Sequence, residues 1–307
     1  MRLIAPEDLF SFTLVGDVQI MPDNQHIAYV AQTEDKEKNE KISRIMSAVL
    51  GEQPSALTAG PSDTFPRFSP DGKWMGFLSK RSGQRQIWLL PLSGGEARPL
   101  TTIDGGVEEF VWAPDSQTVY ATANLDEHGI QPEPAHKPED PPEKKFTADV
   151  KVITELFHKM DGVGFFTKRR PHIVSCPING DAPTQLTHGP YQHNSLAVAP
   201  SGEFLVFASR YGKDYDRYAF QQMIYRLDLK NPDQVEAVSP EDLSAEHPIV
   251  SPDNQLVYYI AERLDDLGYD TPSLYSTDLQ NKATSRLTDQ WDRPIGDASI
   301  GDMMSPS

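Results

Sequence analysis

The stretch that decides the fold is FPRFSPDGKWMGFLSKRSGQRQIWLLPLSGGEARPLT, residues 65–101. It alternates short apolar runs with three groups of turn residues: Pro70-Asp71-Gly72, Ser82-Gly83 and Gly94-Gly95. Proline fixes φ, aspartate accepts hydrogen bonds from the backbone that follows it, and glycine adopts positive φ, so each group predicts a turn. The apolar runs between the turns have the length of strands. The stretch therefore predicts one antiparallel unit of four short strands.

This unit recurs along the chain at fixed offsets from a motif proline. The proline occurs at Pro22, Pro70, Pro114, Pro200 and Pro252. Asp or Ser follows it, then a small or turn-forming residue, and an apolar run such as MGFL begins five positions after it. A closing pair ends each unit: Leu57-Thr58, Leu100-Thr101, Leu186-Thr187, Val238-Ser239 and Leu287-Thr288. Such regular spacing predicts a repeat architecture rather than a sandwich with ordinary turns.

The apolar runs predict how the repeats pack. A single four-stranded sheet that is apolar on both faces cannot bury itself, but sheets stacked around an axis cover each other. We therefore predict an all-β fold, a β-propeller of four-stranded blades, with a β-solenoid as the alternative. The blade repeats lie at about residues 14–58, 61–101, 105–187, 190–239 and 243–288.

The remaining segments are a lead, a tail and several excursions. Residues 1–13 form a lead segment in which Pro6 and two acids predict a short helix, and residues 289–307 are interpreted as the start of a further blade or a truncated tail. Residues 33–41 predict a charged loop, and the proline-rich residues 131–145 an exposed one. Residues 146–173 combine strand alternation with helical spacing, and we favour an extended hairpin that turns at Asp161-Gly162. Further excursions at 210–223 and 263–273 emerge at the same end of their repeats, where a working surface is expected.

Composition limits the partners and the compartment. The 307 residues carry a net charge of −17, the wrong sign for binding nucleic acid. Cys176 is the only cysteine, so no intrachain disulfide can form, and its place in a strand predicts a buried thiol. No stretch approaches the ~20 apolar residues that cross a bilayer, and the first residues lack the apolar core of a signal peptide. We expect a cytoplasmic protein with no membrane partner.

The repeat of residues 65–101 is similar to the propeller repeats of TolB-like proteins and of prolyl oligopeptidase-type serine peptidases. Three further segments resemble the acylaminoacyl-peptidase and dipeptidyl aminopeptidase branch: APEDL before the first repeat, DVKVITELFHKMDGVGFFTKRRPHI in the third, and DRPIGD after the last. The resemblance covers nearly the whole chain. It implies a seven- or eight-bladed propeller that caps a C-terminal α/β-hydrolase domain with a Ser-Asp-His triad.

The nucleophile motif of that hydrolase domain is absent, because no serine in this sequence has glycine two positions away on both sides. We therefore expect no catalytic residue here. The expected function is a non-catalytic, substrate-gating propeller of a serine peptidase that cleaves short or acylated peptides, with the missing hydrolase domain as partner. Whether it forms a homo-oligomer is left open. The alternatives are a TolB-like interaction scaffold and a stand-alone propeller lyase with a histidine-rich axial site.

Four residues are candidates for contacting a peptide substrate. Arg169 and Arg170, with His172, could bind a carboxylate end or a backbone carbonyl, since a guanidinium forms paired hydrogen bonds with such groups. Asp216, in an excursion rich in tyrosine, could bind a peptide amine. The alternatives are a basic cluster paired with local acids and an ordinary exposed loop. The eight histidines show no HxH or HxxxH spacing, and neither a metal nor another cofactor is expected.

Overall fold

The computed structural model describes residues 3, 5–49, 51–132, 150, 152–160, 164–213, 215–217, 221–264 and 271–296. The described chain begins with a 3₁₀ helix, Pro6–Ser11, as the sequence predicted. The backbone N–H of Ala5 donates to the Asp8 carboxylate at 2.9 Å and caps this helix. Within the described residues, no helix has both the length and the apolar character needed to cross a membrane.

The rest of the described chain forms five four-stranded antiparallel sheets and one small hairpin. Blade 1 contains β1 (Leu14–Ile20), β2 (Ile27–Asp35), β3 (Glu40–Ala48) and β4 (Ser55–Ala56). Blade 2 contains β5 (Thr64–Phe68), β6 (Trp74–Ser79), β7 (Gln86–Pro91) and β8 (Arg98–Pro99). Each later sheet repeats this order, so neighbouring strands in the sheet are also neighbours in sequence, except where the hairpin is inserted.

The third repeat carries that insertion. Blade 3 contains β9 (Val107–Trp112), β10 (Thr118–Leu125), β13 (Arg170–Pro177) and β14 (Thr184–Gln185), and the inserted hairpin is β11 (Lys159–Met160) with β12 (Gly164–Phe165). Blade 4 contains β15 (His193–Val198), β16 (Phe204–Ser209), β17 (Met223–Asp228) and β18 (Asn231–Ala237). Blade 5 contains β19 (Leu243–Val250), β20 (Leu256–Arg263), β21 (Ser273–Asp278) and β22 (Thr284–Arg286).

The turn motif between the first two strands adopts the geometry that its residues predict. In blade 2, the Asp71 carboxylate accepts the backbone N–H of Lys73 at 3.1 Å, and Gly72 has φ +69°. The third residue of the motif is left-handed in every blade, at Asn24, Gly72, Ser116, Gly202 and Asn254. Only residues that tolerate positive φ fit there, which explains the small and turn-forming side chains of the repeat.

The closing pair also has a physical role, which the sequence did not reveal. In blade 2, the Thr101 hydroxyl accepts the backbone N–H of Ile87 at 2.9 Å, and the Leu100 N–H donates to the Ile87 carbonyl at 2.8 Å. The same side-chain bond recurs in the other blades, accepted by Thr58, Thr187, Ser239 and Thr288. The pair therefore supplies hydrogen bonds to the third strand beyond the end of the fourth strand.

Successive sheets pack face to face in chain order. Gly76 of blade 2 lies under the rings of Phe110 and Trp112 of blade 3, where an added Cβ would come within 2.8 Å of the Phe110 ring. The Trp112 indole N–H also donates to the Arg67 carbonyl of blade 2 at 3.0 Å. Cys176 is buried within this core, and burial raises the pKa of its thiol to about 12. The thiol is therefore protonated and inert, as its strand position predicted.

Two loop predictions need correction. The charged loop of blade 1 is shorter than residues 33–41, because β2 continues to Asp35 and β3 already begins at Glu40. The predicted hairpin of blade 3 exists only as a pair of two-residue strands, and residues 152–158 lie outside any strand. The turn Asp161-Gly162 and residues 133–145 of the proline-rich loop lie outside the described residues. In both places the sequence pattern does not define where the strands end, because pairing with the neighbouring strand sets those ends.

Candidate functional site

A cleft of about 790 Å³ opens where the insertion of blade 3 meets the start of blade 4. Three pieces of chain form its walls: the residues that follow β10, the segment that leads into β13, and the loop between β14 and β15. Its lining includes Asp126, Glu127, His128, Thr154, Glu155, Lys168, Arg170, His172, Gln185 and His188. The cleft lies at the end of the blades from which the excursions emerge. Its volume is in the range of pockets that hold small organic ligands.

Arg170 lies at the base of this cleft and is held rigidly. It is the first residue of β13 and only 6% exposed. One terminal nitrogen donates to the carbonyls of Thr167 at 2.8 Å and Arg169 at 2.9 Å, and the other donates to the Glu155 carboxylate. A buried guanidinium needs such an anion, because an unpaired charge in the interior is strongly destabilising.

Asp216 connects the two excursions. Its carboxylate accepts the backbone N–H of Leu156 at 2.6 Å and that of Phe157 at 3.0 Å. These bonds join the excursion of blade 4 to the inserted segment of blade 3, about sixty residues earlier in the chain. Asp216 lines a narrow polar cavity that also contains Glu155 and Arg170. The carboxylate proposed for a peptide amine is thus already engaged by backbone groups of the chain.

His172 lines the cleft and forms a buried pair with His193. Their ring centroids are 5.5 Å apart, and the Nδ1 atom of His172 lies 3.3 Å from the Thr187 hydroxyl. Burial, with a smaller contribution from His188, lowers the pKa of His172 to about 4. Burial and the neighbouring His172 lower the pKa of His193 to about 3. Both rings are therefore neutral at physiological pH.

His193 also sits in an aromatic cluster that sequence reasoning missed. Its ring contacts those of Phe207 and Tyr211, with centroids 5.2 Å and 5.6 Å away. Tyr191 packs on Tyr211 at 4.5 Å and so extends the cluster toward the cleft. Both ring nitrogens of His193 are buried and have no hydrogen-bond partner among the described residues. The sequence marked only the tyrosine-rich excursion that contains Tyr211. It did not mark the cluster itself, because the other members come from β15, β16 and the loop before β15.

Arg169 does not line the cleft. Its guanidinium donates to the Asp104 carboxylate at 2.6 Å and lies 3.8 Å from that of Asp126. Asp104 raises the pKa of Arg169, and Arg169 lowers that of Asp104. Of the four predicted substrate-binding residues, the structure therefore brings Arg170 and His172 together in the cleft, places Asp216 beside it, and pairs Arg169 with local acids.

The described residues contain no group of three or more His, Cys, Asp or Glu side chains placed to hold a metal ion. The chemistry available in the cleft is instead that of hydrogen bonds and ion pairs, from the Arg170 guanidinium, the Lys168 ammonium and several carboxylates. Such groups bind and orient polar ligands, and they suit the charged ends and amide groups of peptides.

Comparisons with known proteins link the chain to peptidases. No protein-family model matches it. It is 29% identical to the uncharacterized peptidase YuxL of Bacillus subtilis over 211 residues, which are 68% of this chain and 31% of that protein. It is 23% identical to dipeptidyl-peptidase 5 of Porphyromonas endodontalis over 285 residues, which are 88% of this chain and 40% of that protein. The chain thus spans less than half of the length of these relatives.

Solved structures confirm the fold. The Pyrococcus horikoshii acylaminoacyl peptidase aligns with a TM-score of 0.68 and 18% identity, over 95% of this chain and 42% of that chain. A TolB protein of Agrobacterium tumefaciens, described as putative, aligns with a TM-score of 0.54 and 17% identity, over 89% of this chain and 80% of that chain. The predicted β-propeller and the predicted resemblance to peptidase propellers and TolB are therefore both confirmed.

Proposed function

We propose that this chain is the non-catalytic propeller of a serine peptidase, and that it admits short or acylated peptides to a partner α/β-hydrolase domain. The observation that carries the proposal is the cleft between blades 3 and 4, which combines a peptide-sized volume with a buried arginine at its base. The similarity to curated peptidases over the propeller region supports it.

The shape of the cleft supports a selection by size. A volume of about 790 Å³ accommodates a few amino-acid residues but not a folded protein. The walls come from loops that are tied to one another, through Asp216 and through the Arg170–Glu155 pair. We therefore expect short peptides to bind and folded proteins to be excluded.

A binding measurement tests this proposal directly. Fluorescence polarisation with labelled peptides of three to six residues should detect saturable binding to the chain. Thr154 lines the cleft, and Thr154→Trp should weaken this binding by about tenfold or more, because the indole fills the volume that the peptide needs. Thr184 is exposed in β14 and does not line the cleft, so Thr184→Trp is the matched control and should leave binding unchanged. Equal binding by both variants would argue against the cleft as the site.

The same preparation should not hydrolyse a p-nitrophenyl ester or a peptidyl p-nitroanilide above the uncatalysed rate, because the sequence lacks the G-x-S-x-G nucleophile motif. Hydrolysis that survives extensive purification and follows the protein through the columns would show that the chain is itself an enzyme.

A further inference from the structure

The Arg170–Glu155 ion pair lies in a wall that three cavities share. Both residues line the main cleft and the narrow polar cavity beside Asp216. Both also line a pocket of about 380 Å³ next to the inserted hairpin, whose other walls include Ile153, Phe165 and Lys168. If Glu155 moved away from Arg170, the three cavities, which are separate in the structure, would therefore become connected.

The two halves of the pair differ in how firmly the chain holds them. The side chain of Arg170 is 8% exposed, belongs to a strand and donates to two carbonyls besides Glu155. The side chain of Glu155 is 32% exposed and belongs to residues 152–158, which are in no strand. Arg170 is thus a fixed, buried cation, whereas Glu155 can leave through a side-chain rotation toward the cleft.

The Arg170 guanidinium is selective for carboxylates, the kind of anion that Glu155 now supplies. The guanidinium presents planar, paired N–H donors that match a carboxylate, and burial strengthens that interaction relative to water. Because an unpaired buried guanidinium is strongly disfavoured, Glu155 can leave only if another anion takes its place. An exchange at this site would therefore replace one carboxylate with another.

We propose that Glu155 is an internal occupant of a carboxylate-binding site, and that the terminal carboxylate of a short peptide displaces it from Arg170. This inference rests on the proposed function in one respect only, namely that the ligand is a peptide. The carboxylate site itself follows from the geometry of Arg170 and the cavities around it.

Asp216 makes the exchange compatible with a stable fold. Its bonds to the N–H groups of Leu156 and Phe157 hold the backbone that follows Glu155. The Glu155 side chain can therefore move while the segment stays attached to blade 4. Asp216 is a positioning residue in this scheme, and it does not contact the ligand.

Calorimetry with a matched pair of probes tests the exchange. The probes are acetyl-Ala-Ala-Phe with a free carboxylate and the same peptide as its C-terminal amide. Glu155→Gln keeps the shape of the side chain but removes its charge, so the free acid should bind about tenfold or more tightly than it binds the unaltered chain. The amide should bind both proteins alike. If the variant binds acid and amide equally, or binds the acid more weakly than the unaltered chain does, the proposal is wrong.

Chemical rescue gives a second readout that needs no peptide. Glu155→Ala leaves Arg170 buried without its anion and should lower the melting temperature, and sodium acetate should restore it saturably beyond sodium chloride at equal ionic strength. Glu203→Ala is the control, since Glu203 pairs with Lys230 at the exposed surface and does not line the cleft. That variant should show no acetate-specific recovery. The absence of recovery in Glu155→Ala would overturn the carboxylate site.

These outcomes separate the two proposals. Acetate rescue without peptide binding would support the carboxylate site and refute the peptide-admitting function. Peptide binding with no preference for the free acid in any variant would support that function and refute the carboxylate exchange.

Discussion

At the scale of single residues, His193 is a buried polar group that costs stability. Its ring is fully buried, and neither ring nitrogen has a hydrogen-bond partner within the part of the chain that the structure describes. Its folded-state pKa of about 3 lies below the ordinary value of 6.5. Between these two values the unfolded chain takes up a proton that the folded chain cannot bind. The free energy of unfolding therefore falls as the pH falls through this window.

We predict that His193→Phe reduces this acid sensitivity, because phenylalanine does not titrate and fits an aromatic environment. Below the ordinary pKa of histidine, the unfolding free energy of the variant should fall less steeply with pH than that of the unaltered chain. The two slopes should differ by up to about 1.4 kcal/mol per pH unit. Urea titrations at several pH values between 7 and 4 measure the free energy of unfolding of both proteins. His247 is exposed at φ +54°, and His247→Asn, which suits that backbone, should leave the slope unchanged. Parallel slopes for His193→Phe and the unaltered chain would contradict the prediction.

The closing pair allows a second prediction at this scale. Thr101 is buried, accepts the Ile87 N–H and donates to the Gln86 amide oxygen at 2.8 Å. Thr101→Val keeps the shape but removes the acceptor of the Ile87 N–H and one of the donors to the Gln86 amide oxygen, so it should cost about 1–3 kcal/mol of unfolding free energy. Its neighbour Thr102 is exposed, and Thr102→Val should change stability by less than about 0.5 kcal/mol. Denaturant unfolding measures the stability of both variants. Equal losses of stability would contradict the role assigned to the Thr101 hydroxyl.

At the scale of elements, the middle of each second strand carries a packing position. The residue seven places after the motif proline is almost completely buried in four of the blades, as Phe77, Ala121, Phe207 and Tyr259. In blade 1 it is Tyr29, which is only partly buried. The side chain at this position faces the preceding sheet, so its burial depends on whether such a sheet is present.

We predict that Phe77→Ala and Phe207→Ala each cost about 3–5 kcal/mol, because both delete a buried ring and leave a cavity. Glu37 lies in the exposed turn between β2 and β3, so Glu37→Ala should change stability by less than about 0.5 kcal/mol. Thermal or denaturant unfolding supplies the comparison. Similar losses at both kinds of position would mean that the alignment of the repeats is wrong.

At the scale of the whole molecule, blade 1 presents an uncovered apolar face. Ile20 is 70% exposed, whereas its equivalents Trp112 and Val250 in later blades are each 6% exposed. Ile27 is 39% exposed, whereas its equivalents Met75, Val119, Leu205 and Val257 are completely buried. In each later blade the preceding sheet covers these positions. The outer face of blade 1 therefore has the composition of an interior surface.

We predict that the isolated chain self-associates through such faces, because each large apolar side chain buried there contributes about 1.5–3 kcal/mol. Light-scattering chromatography should show species larger than a monomer, and a dye for apolar surfaces should bind. Ile20→Lys should reduce both signals. The matched Val250→Lys should instead unfold the chain, since it places the charge in the core. A sharp monomer peak with cooperative melting and no dye binding would favour a closed ring of five blades.

The amino-acid sequence by itself determined the repeat, the strand order within each blade and the turn between the first two strands. These features are local, because Asp71 and Gly72 shape their turn whatever surrounds it. The tertiary structure decided the site. Asp216 meets Leu156 only because stacked blades bring together two excursions that are about sixty residues apart in sequence. Glu155 meets Arg170 within the insertion of blade 3, because the inserted segment folds back onto the start of β13, and no local pattern encodes either contact. Burial likewise decided that His172 stays neutral and that Arg170 needs an anion, since the cost of a charge depends on what surrounds it.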